Sequence, residues 1–164
     1  MSLGLYLHIP YCFSKCRYCD FYSHPGERGV PEAYVDALLR ELSRFAPEAP
    51  LQPDTLYFGG GTPSLLRPEQ AKRLIDAARP MPGAEITLEA NPETVTEESL
   101  AGFREAGVNR ISFGVQSARD TQLRTLGRPH TAKQARAAFA AAQRAGFTNI
   151  SGDIMLALPH YTEA

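Results

Sequence analysis

The sequence predicts an α/β protein of repeated strand–helix units, and three observations carry that prediction. Strand-like runs recur at LGLYLHI (3–9), TLYFG (55–59), EITLEA (85–90), RISFGVQ (110–116) and NISGDIML (149–156). Helical patterns lie between them, and strand then helix, repeated, is the signature of parallel β/α units. Every strand also has one apolar and one polar side, because successive side chains point to opposite faces. A parallel sheet covered by helices on both faces would read as apolar throughout, so one face is helix-packed and the other is wet or occupied. A β/α barrel with a polar ligand in its lumen satisfies this, and so does an open sheet with one exposed face.

Taken in order, the first strand sets Leu3, Leu5, Leu7 and Ile9 against Gly4, Tyr6 and His8. A helix over 31–46 follows, with Pro31 suited to its first position and Val35, Leu38, Leu39, Leu42 and Phe45 at helical spacing. The second strand opposes Leu56 and Phe58 to Tyr57 and Gly59, and the helix starting at Pro68 turns Leu74, Ile75 and Ala78 to the core. In the third strand Ile86 and Leu88 oppose Thr87 and Glu89. The next helix opens after Thr96, places Glu97 and Glu98 at its positive end and stops at Gly107. Ile111, Phe113 and Val115 then oppose Ser112, Gly114 and Gln116. A helix opening on Thr131, with Gln134 completing a capping box, closes at Gly146. In the fifth strand Ile150, Ile154 and Leu156 oppose Ser151, Asp153 and Met155. The segments REAGVNRISFGV and QRAGFTNISGDI share helix end, glycine stop and strand start in the same order, as two β/α joints do.

At 164 residues the chain is about one domain long. Lys plus Arg total 17 against 18 for Asp plus Glu, so nothing in the charge balance recruits nucleic acid or an anionic membrane. No apolar run has the length of a membrane span, and MSLGLYLHIP has neither the basic start nor the apolar length of a signal peptide. The three cysteines lie in one loop, which argues against a disulfide framework and for a reducing, cytoplasmic compartment where thiols serve a metal or chemistry.

Those cysteines, Cys12, Cys16 and Cys19, fall just past the C-terminal end of the first strand, where parallel β/α proteins place their chemistry. Three thiolates in one loop can hold three irons of a [4Fe-4S] cube and leave the fourth iron without a protein ligand. A structural zinc recruiting His8 or His24 is a second reading, although zinc cysteines usually come in CxxC pairs; three unrelated cysteines are a third. GGGTPS (59–64) follows the second strand and is neither a phosphate loop nor a dinucleotide fingerprint. Its glycines let the backbone approach a ligand and Thr62 adds a hydroxyl, or the stretch is simply a tight turn. Glu89, Gln116 and Asp153 fall on the polar strand faces, with Arg128 on a loop after the fourth strand. Singly each is an ordinary surface polar group; together they offer acceptors for ribose hydroxyls or an ammonium and a cation for a carboxylate. His8, His24, His130 and His160 show no pairing signal and read as structural or surface residues.

At these residues the chain resembles the radical S-adenosylmethionine (SAM) superfamily, whose CxxxCxxC loop appears as CFSKCRYC. HIPYCFSKCRYCDFYSH, YFGGGTPSLL, LEANPE, RISFGVQS, LGRPHT and ISGDIMLALP follow the order of the oxygen-independent coproporphyrinogen III oxidase-like family. The resemblance implies a partial (β/α)6, TIM-like radical-SAM barrel, here truncated after the fifth strand. It implies that Cys12, Cys16 and Cys19 bind a [4Fe-4S] cluster whose open iron is chelated by S-adenosyl-L-methionine. Gly60, Gly61 and Thr62 then receive the methionine end, Glu89, Gln116, Arg128 and Asp153 bind the rest of the cofactor, and Tyr18 packs near adenine. In such proteins an electron, supplied by an external donor, cleaves the cofactor to methionine and a hydrogen-abstracting 5′-deoxyadenosyl radical.

The branch is read from the loop. Oxidases of this family carry a further cysteine just beyond the triad, whereas Cys19 is followed here by Asp20 and Phe21, which is similar to the heme-chaperone branch. The resemblance thus implies heme binding and delivery to an accepting protein, with porphyrinogen decarboxylation and a structural metal protein as alternatives. ALPHYT (157–162) departs from the family's GLPGQT. Residues 1–164 are expected to be the N-terminal portion of the core domain, lacking the sixth strand and a C-terminal domain that carries substrate or heme contacts.

Overall fold

A computed structural model describes residues 3–45 and 51–158. In chain order the strands are β1 (Gly4–Ile9), β2 (Tyr11–Cys12), β3 (His24–Pro25), β4 (Thr55–Gly60), β5 (Glu85–Ala90), β6 (Arg110–Gln116) and β7 (Asn149–Ile154). The helices are α1 (Glu32–Phe45), α2 (Pro68–Ala78), α3 (Glu97–Ala106), α4 (Asp120–Leu126) and α5 (Ala132–Arg144). The main sheet is wholly parallel in the order β1-β4-β5-β6-β7. Because that order never reverses, right-handed crossovers put every helix on one face, the arrangement of an opened barrel and not of a doubly wound sheet.

Register turns the alternation into layers. Leu7 pairs with Phe58, Phe58 with Leu88, Leu88 with Ile111 and Ile111 with Ile150, one apolar row across all five strands. Ala71 and Leu74 of α2, Leu100 and Phe103 of α3 and Ala138 and Ala142 of α5 close over it in a single core. Each fully buried Leu or Phe there contributes about 1.5–3 kcal/mol relative to exposure. On the other face Tyr6, Tyr57, Thr87 and Arg110 form a polar row, and Glu89, Ser112 and Ser151 a second one toward the C-terminal ends.

The helix termini form as their sequences dictate. Thr96 accepts from the Ser99 N–H at 3.1 Å while Ser99 Oγ accepts from the Thr96 N–H at 2.9 Å, and Thr131 and Gln134 exchange the equivalent pair. The two similar segments end alike: Val108 N donates to Phe103 O, and Phe147 N to Ala142 O, burying both C-terminal apolar residues.

Some expectations change. Phe45 is 74% exposed, one turn past the last contact of α1 with the core. β7 ends at Ile154, and Ile154 and Leu156 are exposed at 65% and 86%, because β7 is an edge strand and no described helix covers its far end. His160 and most of the 157–162 turn lie outside the described residues. No described helix is long and apolar enough to cross a membrane.

Candidate functional site

The cysteine loop is built on the end of β1. β2 and β3 pair in parallel, Tyr11 with His24 and Cys12 with Pro25, so the chain leaves and returns to the same place and must carry Cys16 and Cys19 in the intervening bulge. Glu27 N donates to Cys12 O at 3.1 Å, Cys19 N to Cys16 O at 3.2 Å, and Lys15 Nζ to Phe21 O at 2.7 Å, which stiffen the loop from within. From outside, Arg17 N donates to Leu126 O at 3.0 Å, tying the loop to the end of α4. Arg128 follows one residue beyond the left-handed cap Gly127 (φ 75°), its own N–H bonded to Leu123 O. One short helix therefore places both the cysteine loop and the arginine.

The Gly59–Gly61 run ends β4 directly beneath this loop. A methyl at Gly61 would stand 2.7 Å from Tyr11 O and 2.9 Å from Cys12 Sγ, so the absence of a side chain is what lets the loop close. Gly60 has φ 120°, open essentially to glycine alone. Its N–H donates to one oxygen of Glu89 at 3.2 Å, and Tyr57 donates its hydroxyl to the other at 2.7 Å. Burial, then the bond to Glu89 and its charge, hold the Tyr57 phenol well above its usual range.

Gln116 sits at an irregularity where β6 slips against β7, with a positive φ of 65° that a non-glycine residue adopts at a cost. Tyr18 is 38% exposed; burial of the remainder raises its phenol, Arg128 opposes this, and the outcome is pushed up to about 12. Arg128 is 8% exposed. Burial works against its charge, but Glu93 and the Cys16 sulfur outweigh it and the guanidinium is raised further. Nη1 donates to Cys16 Sγ at 3.4 Å and Nη2 to Asn91 Oδ1 and Gly114 O at 2.7 and 2.8 Å, while the buried Nε has no partner among the described residues.

The three cysteines, the glycine run from Gly60, and the polar groups around Arg128 line one cleft of about 280 Å³ at the C-terminal ends of the strands. Cys12, Cys16, Cys19 and Tyr18 form one wall, Gly60, Gly61 and Thr62 the floor, and Glu89, Gln116, Arg128 and Asp153 the polar side. Glu89, Gln116 and Asp153 were expected here from the strand faces, Arg128 and the cysteines from their loops, and Tyr18, Gly60, Gly61 and Thr62 from the family resemblance. The sequence reading assigned no role to Asn91, which lines the same cleft and belongs to the quoted LEANPE block; its place just past the end of β5 was the available signal. His8 gives Nε2–H to Tyr22 O at 3.1 Å and lies 3.2 Å from the Tyr6 hydroxyl, so both ring nitrogens are committed. His24 packs between Tyr11 and Tyr22. Among the described residues no three His, Cys, Asp or Glu side chains converge on a single ion, as a zinc site would need.

The radical SAM superfamily pattern matches residues 6–164. The chain belongs to that superfamily. Over 163 residues it is 43% identical to the heme chaperone HemW of Escherichia coli (strain K12), covering 96% of this chain and 43% of that protein. It is 40% identical over 170 residues to the heme chaperone HemW of Haemophilus influenzae, covering 98% and 44%. A solved structure of the radical SAM enzyme coproporphyrinogen III oxidase (HemN) from Escherichia coli superposes with a TM-score of 0.87 at 31% identity over 98% of this chain and 38% of that one. The chain spans less than half the length of these proteins. The partial-barrel fold expected from the sequence is borne out. Membership implies a [4Fe-4S] cluster and S-adenosylmethionine.

Proposed function

We propose that the chain is the cluster- and cofactor-binding part of a cytoplasmic heme chaperone, with Cys12, Cys16 and Cys19 as iron ligands. The observation that carries this is the single cleft in which three thiols face a set of polar groups across a glycine floor. Three features of this chain fit the groups. The thiols are soft donors suited to iron, the missing Cβ of Gly61 leaves room beside Cys12, and Arg128 has a buried donor without a partner among the described residues, suited to an anion. Bound there, the cluster and cofactor supply one-electron reductive chemistry that no side chain offers.

The residues then divide the work. Gly60 and Gly61 would admit the cofactor's amino acid end, and Arg128 would supply the cation for its carboxylate. Glu89, Gln116 and Asp153 receive ammonium and hydroxyl groups, with Glu89 already held by Tyr57. Tyr18, kept protonated, offers a flat neutral ring to the base. Heme binding and delivery to an accepting protein belong to the whole protein. The relatives named heme chaperones support that reading over oxidation of coproporphyrinogen, as does Cys19 followed by Asp20 and Phe21 with no further cysteine just beyond the triad.

The test is anaerobic titration of the full-length, cluster-loaded protein with heme, followed by absorbance, beside an assay for coproporphyrinogen turnover. Saturable heme binding without decarboxylated product is expected. Product formation without heme binding would assign the oxidase reaction instead.

A further inference from the structure

We propose that Asn91 is the positioning residue that joins the Cys12 and Cys16 sulfurs into one hydrogen-bonded arc and thereby raises the reduction potential of the cluster. The proposal rests on the cluster reading above.

The arc runs through four hydrogen bonds. Arg128 Nη2 donates to Asn91 Oδ1 at 2.7 Å, and Asn91 Nδ2 reaches Thr62 Oγ1 at 3.1 Å. Thr62 Oγ1 reaches Cys12 Sγ at 3.5 Å, and Arg128 Nη1 reaches Cys16 Sγ at 3.4 Å. Proton directions follow from the chemistry of the groups. A guanidinium only donates, so the oxygen of the Asn91 carboxamide must face Arg128 and its NH2 must face Thr62. Thr62 therefore accepts from Asn91, and its one hydroxyl proton is left to point at Cys12.

Asn91 is itself immobilised. Its backbone carbonyl accepts from the Thr94 hydroxyl at 2.9 Å and the Thr94 N–H at 3.0 Å, in the turn that follows β5. Gly114 O fixes the same nitrogen of Arg128 that Asn91 holds. Thr62 is 2% and Arg128 8% exposed, so these bonds act in a poorly screened environment. Donors to cysteine sulfurs stabilise the more electron-rich, reduced cluster, which raises its potential.

The experiment is a redox titration, monitored by electron paramagnetic resonance, of the anaerobically reconstituted full-length protein without S-adenosylmethionine. Wild type is compared with Asn91→Ala, Asn91→Asp and Thr62→Val at matched cluster content. Thr62→Val removes one donor; the bond is stronger to the reduced, more electron-rich cluster, so its loss lowers the reduced-to-oxidised ratio at fixed poise, by about tenfold at most, ~59 mV for one electron. Asn91→Asp should lower it more, because a carboxylate accepts from Arg128 and Thr62 alike and draws the hydroxyl proton off Cys12. Unshifted potentials in Thr62→Val and Asn91→Asp would overturn the proposal alone, and Thr62→Val keeps it testable where an Asn91 variant does not fold. A wild-type protein that assembles no cluster would overturn the cluster reading instead.

Discussion

Gly61→Ala is the sharpest perturbation the cleft offers. The new methyl would stand 2.7 Å from Tyr11 O, 3.1 Å from Ile9 O and 2.9 Å from Cys12 Sγ, all inside ordinary contact distance. Two of the three are backbone oxygens, and Ile9 O also accepts the Gly61 N–H at 2.8 Å, so no rotamer change relieves the clash. The loop must lift, at about 1–3 kcal/mol of overpacking. For a chain of this length each kcal/mol is worth about 2–4 °C, so Tm should fall by roughly 2–12 °C. Cys12 moves with the loop, so iron bound after reconstitution should fall as well. Gly83→Ala is the control: its φ of 84° strains alanine too, but nothing lies within 4 Å of the added methyl. It should cost stability and leave iron content unchanged. Thermal unfolding by circular dichroism with iron and sulfide analysis reads both quantities. A Gly61→Ala protein with wild-type Tm and iron would refute the view that this glycine is what seats the cysteine loop.

Other outcomes follow from the same geometry. Tyr18 and Tyr57 keep their protons in the fold to higher pH than in the unfolded chain, where tyrosine ionises near pH 10. Their contribution is therefore full below about pH 10 and is lost as pH rises beyond it, so Tm should decline through that range and less steeply in Tyr57→Phe. Thr96→Ala removes the acceptor for the Ser99 N–H and should cost about 1 kcal/mol, or about 2–4 °C in Tm, with no change in iron content. Gly127→Ala places a methyl 3.1 Å from Arg17 Cγ at a residue with φ 75°. It should loosen the Arg17–Leu126 tie and lower cluster retention during gel filtration more than it lowers Tm.

The strands and caps were legible because their signals are local and periodic. Alternation in TLYFG and EITLEA directly separated Phe58 and Leu88, both fully buried, from Tyr57 and Glu89, which meet across the polar face. Thr96, Thr131 and the glycine stops announced α3 and α5 in the same way. The loop's scaffold was not legible. α4 is seven residues long and β2 and β3 are two each, too short for a period to show, and their stability comes from contacts with distant segments. Ile154 and Leu156 misled because periodicity reports which side faces helices, not whether a helix is there. Arg110 was missed as well: on the polar face it donates to Thr87 and Ser151, a partnership set by sheet register and not by sequence spacing.

The central claim, three cysteine ligands and one open iron that takes the cofactor, meets its most direct test in electron paramagnetic resonance. The reconstituted full-length protein is reduced anaerobically and its spectrum is recorded with and without S-adenosylmethionine. A reduced [4Fe-4S] signal that changes on adding the cofactor and is lost in Cys16→Ala is expected. A signal indifferent to the cofactor, or a Cys16→Ala protein that assembles the full cluster, would contradict the claim.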